Sequence, residues 1–199
     1  MVTDSRQQYA ALKELHHWLK NRWPIKQDIP EHQQKQLTQI CRKIYKQHQH
    51  HKQIHAGKNK IQSHPGFKQD QFHSGFLFLG EQSATPLHDH AESFALSLLL
   101  SGAVNISIYR RAENPPENLS QLVFKETLQL QPGDFASLPA DSSLIHKLST
   151  ISQTACLLDI HYPQFNSDQR HWYLPVASFG DQQLSCQRIS DGKFSTYNV

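Results

Sequence analysis

The alternation of apolar and polar positions divides this chain into two regimes. Over residues 5–22, Tyr9, Leu12, Leu15 and Leu19 recur every three to four residues, the period of an α-helix with one buried stripe. Trp23-Pro24 ends it, because a residue before proline is pushed out of the helical region. A second helix is expected from near Asp28 or Pro30, where proline is tolerated at the first turn, to about Ala56-Gly57. Its apolar stripe is Leu37, Ile40, Cys41, Ile44, Tyr45 and His48. From about residue 72 the period changes. Phe76–Leu79 lies between Gly75 and Gly80, Phe94–Leu100 precedes Gly102, and Val104, Ile106 and Ile108 alternate with Asn105 and Ser107. Leu122–Leu128, Phe135–Leu138, Ile145–Leu148 and Ala155–Ile160 follow, with turn sequences such as PPEN and PGD between them. Roughly seven short strands at this spacing predict an all-β core, a small antiparallel sandwich or β-barrel. The expected organisation is a helical, basic segment over residues 1–70 packed on a barrel domain over residues 71–199.

The charge distribution sharpens that division. Residues 1–70 carry 13 Lys and Arg against 5 Asp and Glu, a balance of +8, and residues 71–199 carry 7 against 12, a balance of −5. Cys41–Lys60 holds six Lys and Arg and no acid. Such a run is either an anionic-surface patch or the solvated face of a helix and loop. No groove-reading motif accompanies it, so no nucleic-acid partner is expected. No apolar run reaches the length of a membrane span, and MVTDSRQQYA has no apolar signal core, so neither membrane insertion nor export is expected. Cys41, Cys156 and Cys186 are odd in number and widely spaced, which suits free thiols in a reducing, cytoplasmic setting.

Histidine is abundant, with 14 in 199 residues, so roughly one H-x-H is expected by chance. His48 and His50 fall on the second predicted helix, where residues two apart diverge and cannot share a metal. His51 and His55 are one helical turn apart and can grip a metal weakly; the competing reading is solvated surface histidines. His88 and His90, in PLHDHAES, are placed instead on a strand entering near Leu87. Residues two apart on a strand face one side, so both imidazoles aim at one point. His146, on a later short strand, is the best third ligand. Glu92 is a rival: on a straight strand it shares the face of the two histidines, and only a bend after His90 turns it away.

Gly80, H-D-H at 88–90 and Gly102, followed by PGD at 132–134, Pro139 and His146, resemble the two motifs of the cupin superfamily. Where the usual cupin carries a glutamate ligand this chain has the apolar Phe94 and Ala95, which matches the three-histidine subset, the thiol dioxygenases. SLPADSSLIH followed by TACLLDIHYPQFNSDQRHWYL is similar to the plant cysteine oxidase and cysteamine dioxygenase family, through the PAD, the LD pair and the RH-x-Y tail. GEQSATPLHDHAES is similar to cysteine dioxygenase, a relative in the same group. The resemblance spans about residues 75–175. It implies iron(II) held by His88, His90 and His146, Asp159 as an acidic pocket residue, and addition of both atoms of dioxygen to a thiol, giving a sulfinic acid. The family's tyrosine after the LD pair corresponds to Phe165, with Tyr162 nearby. The arginine that grips a substrate carboxylate in cysteine dioxygenases has no clear counterpart; Lys58 and Lys60 are the cations near the expected place. Ala95 stands where some cysteine dioxygenases have a cysteine cross-linked to tyrosine, so that cross-link is not expected.

Three neutral imidazoles leave metal positions open and leave the metal's charge uncancelled, conditions that suit a thiolate ligand. Phe76 or Leu77, Phe78, Leu96 and Leu98 are expected to line the pocket, with plain barrel core as the competing reading for each. Asp159, in the apolar run ACLLDI, is costly to bury unless partnered. It serves either as an anchor for a substrate amine or a proton-handling group, or as half of a buried pair with Arg170. His161, two residues on, shares its face and joins it as a candidate catalytic residue. The expected partners are a small-molecule thiol and dioxygen, acting on a monomer or homodimer. Free cysteine, cysteamine, 3-mercaptopropionate and a peptide N-terminal cysteine all fit. Two other readings stay open: a zinc or other metal enzyme using a bound water, and a non-enzymatic cupin acting as a sensor or binding module.

Overall fold

The computed structural model describes residues 9–26, 29–49, 56–113, 119–164, 169–180 and 182–189. Two helices come first, α1 (Ala10–Lys20) and α2 (Glu31–His48). Helix α1 buries Ala11, Leu12, Leu15, His16, Trp18 and Leu19, and α2 buries Leu37, Ile40, Cys41, Ile44 and His48. These are the stripes the 3.6-residue period selects. Pro30 stands just before α2, Glu31 lies in its first turn and Lys46 in its last, an arrangement that complements the helix dipole. His48 is core, packed beside Tyr9 and Phe76. His50, His51, His55 and Phe165 lie outside the described residues.

Eleven described strands follow: β1 (Ile61–Gln69), β2 (Phe72–Gly80), β3 (Leu87–His88), β4 (Phe94–Ser101), β5 (Val104–Arg111), β6 (Ser120–Leu130), β7 (Phe135–Leu138), β8 (Leu144–Thr150), β9 (Thr154–Tyr162), β10 (Trp172–Phe179) and β11 (Gln183–Ile189). They form a five-stranded sheet in the order β1-β2-β9-β4-β7 and a closed barrel in the order β10-β11-β6-β5-β8-β3, with every pairing antiparallel. The fold is therefore the all-β core with two N-terminal helices that the periodicity predicts. Strand β1 falls within residues 1–70, and its polar sequence, interrupted by Pro65 and Gly66, is that of an edge strand, which alternation does not reveal. The hairpin β10–β11 also lacks an apolar alternation, because most of β10 is exposed. Among the described residues no helix is long and apolar enough to cross a membrane.

Strand parity determines where the site can be. On β4, Phe94, Leu96, Leu98 and Leu100 join the cluster that packs against α1 and α2; on β9, Cys156, Leu158, Ile160 and Tyr162 do the same. The intervening residues point the other way. Ala95 and Leu99 of β4, and Ala155 and Leu157 of β9, pack with Val104, Ile106, Ile108 and Leu148 of the barrel in a second cluster. Asp159 and His161 continue the barrel-facing series of β9. The expectation that Phe76, Phe78, Leu96 and Leu98 line the pocket is thus corrected: all four face the helices, and Leu77 alone of that set packs toward the barrel. A period-2 pattern cannot show which face is which when both are apolar, as they are on a sheet covered on both sides.

Leu158 is fully buried under the helices. Leu158→Ala is expected to lower the unfolding free energy by about 2–5 kcal/mol in a urea titration, because the packed helix–sheet interface closes poorly over the lost volume. A change below about 1 kcal/mol would contradict the two-sided burial of this sheet.

Candidate metal centre

His88 and His146 face each other as a register pair between β3 and β8. His88 Nδ1 lies 2.8 Å from the carbonyl oxygen of Pro86. A carbonyl only accepts, so Nδ1 carries the proton and the lone pair is on Nε2. Strand β3 ends at His88, so His90 does not arrive by strand alternation, contrary to the sequence expectation. A turn delivers it: Ala91 adopts a left-handed conformation with φ 52°, and Ser93 N–H donates to the His90 carbonyl at 3.0 Å. The same turn carries Glu92 to the exposed surface, the bend that a three-histidine site requires.

The three imidazoles converge through their Nε2 atoms. His90 Nε2 is 2.6 Å and His88 Nε2 is 3.1 Å from His146 Nε2. All three residues are buried, at 5, 7 and 3 % exposure for His88, His90 and His146. Among the described residues they form a group able to hold a metal ion. Burial pushes their pKa values down, and repulsion from neighbouring cationic groups adds to it; His146 falls to about 3. The rings are therefore neutral, with lone pairs available. Nitrogens bound side by side to a small divalent ion at about 2.1 Å stand ~3 Å apart, so this donor set fits a metal.

Asp159 lies on the barrel-facing side of β9, opposite Ser97 of β4, whose hydroxyl donates to its carboxylate at 2.6 Å. Burial raises the Asp159 pKa, against the opposing pull of the Ser97 hydrogen bond and the positive charge of Arg170. The His161 ring is 4.7 Å from that of His90, and burial with nearby Arg170 holds it neutral, well below the usual imidazole range. Both side chains keep some exposed surface while protein atoms ring them on most sides.

The cation beside the cluster is Arg170. Its guanidinium lies over the Trp172 ring at 5.2 Å, and the Trp172 ring lies 5.2 Å from His88. Burial lowers its pKa to about 10, while Asp159 and Asp89 favour its charge. Its field acts on all four histidines, His88, His90, His146 and His161. Lys58 and Lys60 are exposed, which removes them as the site's cations. Tyr162 turns into the helix-facing layer beside His16 and Trp23, away from the histidine cluster. Arg170 reaches the cluster because Trp172 enters β10 and pairs with His88, which brings residue 170 to the same face, a placement that R-H-W-Y at 170–173 does not show by itself.

Two outcomes follow from this geometry. Glu92→Ala is expected to leave the metal dissociation constant within about two-fold of wild type by competitive chelator titration, since the side chain is in solvent; a ten-fold loss would place Glu92 among the ligands. The metal-free protein is expected to lose stability in mild acid. His16, His73, His88, His90, His146 and His161 all have pKa values lowered below 6.5 in the folded state. The unfolded chain then binds more protons as pH falls through 6.5, and the penalty grows toward the folded pKa, about 3 for His146. Asp159, with a raised pKa, acts in the opposite sense as one group against six. The melting temperature should fall continuously from about pH 7 to about pH 5; a flat profile would contradict the buried, neutral histidines.

The sequence profile of the PCO_ADO family, the plant cysteine oxidases and cysteamine dioxygenases, matches residues 26–188. No curated protein sequence matches the chain. Among solved structures, it resembles a cupin superfamily protein from Desulfitobacterium hafniense at 16% identity, covering 69% of this chain and 93% of that one with a TM-score of 0.41. KdgF from Halomonas sp. is similar at 14% identity, covering 59% and 91% with a TM-score of 0.45. The cupin domain of Schizosaccharomyces pombe Cnp3 is similar at 13% identity with a TM-score of 0.40, covering 51% of this chain, which spans 63% of that domain. With the profile running from the second helix through the last described strand, the chain belongs to the plant cysteine oxidase and cysteamine dioxygenase family.

Proposed function

We propose that this protein is an iron(II)-dependent thiol dioxygenase that converts a small aminothiol, or an N-terminal cysteine, to its sulfinic acid. The observation that carries the reading is the group of three buried, neutral imidazoles with Glu92 turned out to solvent, in a chain of this family. A neutral ligand set leaves the full metal charge to draw in an anionic sulfur and leaves positions for both reactants. Bound iron(II) would supply the redox centre at which a thiolate and dioxygen meet. Overall, RSH and O2 give RSO2H: sulfur loses four electrons, dioxygen gains four, and no external reductant enters.

The chain's own residues account for binding. Asp159, held by Ser97, is the one carboxylate in the barrel-facing series of β9 and suits a substrate ammonium. Burial raises its pKa, and an ammonium bound beside it would favour the charged form that pairs with it. An amine anchor of this kind favours cysteamine and cysteine-type thiols over 3-mercaptopropionate, which has none. In this reading Arg170, over Trp172, would donate to a carbonyl or carboxylate oxygen of the substrate, and His161, neutral beside His90, would hydrogen-bond a reactant. The three cysteines are free and buried, which suits action in the reducing cytoplasm.

Oxygen uptake by anaerobically iron-loaded protein, tested with all four thiols, checks the proposal. Uptake with an amine-bearing thiol is expected, with loss of at least about 10²-fold in His146→Ala and a comparable loss of kcat/KM in Asp159→Asn for that thiol. Full iron occupancy with no uptake for any thiol would end the dioxygenase reading. Equal kcat/KM in Asp159→Asn would remove Asp159 from substrate handling.

A further inference from the structure

The aspartate between the two metal histidines of H-D-H is 1 % exposed, and its carboxylate points away from the imidazole cluster. Asp89 Oδ1 accepts the backbone N–H groups of Ala91 at 3.2 Å and His171 at 3.1 Å. Oδ2 accepts Tyr173 Oη–H at 2.9 Å and lies 3.1 Å from His171 Nδ1. The backbone adds a fifth bond, from Asp89 N–H to the His171 carbonyl at 3.2 Å. Arg188 Nη2 lies 2.8 Å from His171 Nε2 and 3.1 Å from Nδ1. A carboxylate only accepts, so the His171 Nδ1 that faces Asp89 Oδ2 carries the proton. Four donors therefore surround one buried carboxylate, behind which stand Arg188 and, 3.5 Å from Tyr173 Oη, Arg111.

A carboxylate this deeply buried is expensive and persists only where it is fully hydrogen-bonded. Here the bonds have a particular consequence. The contact to Ala91 N–H holds the left-handed turn that sends His90 inward and Glu92 outward. The contacts to His171 and Tyr173 tie that turn to the start of β10, whose Trp172 pairs with His88. Along R-H-W-Y, residues 171 and 173 grip Asp89 while 170 and 172 face the histidines. Resting on the metal-centre reading above, we propose that Asp89 is the positioning residue of this site: through Ala91, His171 and Tyr173 it sets the directions of His88 and His90, and so the affinity and ligand geometry of the metal.

The test is titration of the metal-free full-length chain with Co(II), followed by visible absorption, which reports both affinity and coordination geometry. Asp89→Asn, near-isosteric but without the second oxygen and the charge, is expected to bind Co(II) about 10–100-fold more weakly with an altered spectrum. Tyr173→Phe, which removes one donor and leaves the carboxylate, should shift both readouts in the same direction by a smaller amount. Asp89→Glu should fail to restore the wild-type spectrum, because the longer side chain displaces the turn. Circular dichroism of each metal-free variant separates repositioning from unfolding, and if Asp89→Asn does not fold, Tyr173→Phe decides. A folded Asp89→Asn with wild-type affinity and spectrum overturns the proposal, as does an unchanged Tyr173→Phe where Asp89→Asn is unfolded. Failure of the wild-type chain to bind Co(II) would instead overturn the metal-centre reading itself.

Discussion

Three imidazoles brought together in a buried interior are the constraint around which this fold is arranged. Histidine nitrogens 2.6 and 3.1 Å apart cannot all be protonated, and burial already disfavours charge on each. The folded chain therefore keeps neutral rings with lone pairs aimed at a common point. Such a group is unfavourable without an electrophile and favourable with one, which is the physical meaning of a metal site. The His88 contact with Pro86 fixes one tautomer before any ion arrives. The turn at Ala91 supplies the second ring, and strand β8 supplies the third.

The two-faced sheet makes that interior available. Helices α1 and α2 cover one face of β2, β9 and β4 with aromatic and aliphatic side chains, so the helix-facing residues serve packing. The opposite face is free to carry Ser97, Asp159 and His161 toward the barrel. A single parity shift on β9 would exchange Asp159 and His161 for Leu158 and Ile160, moving two polar groups beneath the helices and two aliphatic groups into the site. The helices thus contribute to function indirectly, by fixing which face of the sheet is left for chemistry.

Much of this was readable from the sequence. The helical stripes and the change of period near residue 72 follow from side-chain periodicity, whereas His88, His90 and His146 are marked by the motif resemblance, since the strand argument for His90 does not hold in the structure. Three features were not. Leu96 and Leu98 read as pocket residues because both faces of β4 are apolar, and alternation carries no sign. The arrival of His90 through a turn was hidden because nothing in HDHAE marks Ala91, a residue with no special tolerance for positive φ, as left-handed. Arg170 reads in the sequence only as a partner for Asp159, since its proximity to the histidines depends on a pairing between β10 and β3, 84 residues apart for Trp172 and His88, that no local pattern encodes. Long-range antiparallel pairing is the information a single sequence shows least.

The central claim is that a carboxylate-free, three-histidine iron centre oxygenates a thiol. The most direct measurement is the mass of the product formed by iron-loaded protein from an aminothiol under oxygen-18 gas. The account predicts a sulfinate carrying two heavy oxygen atoms, both taken from one dioxygen molecule. A product with one heavy atom or none, or a disulfide in its place, would contradict it.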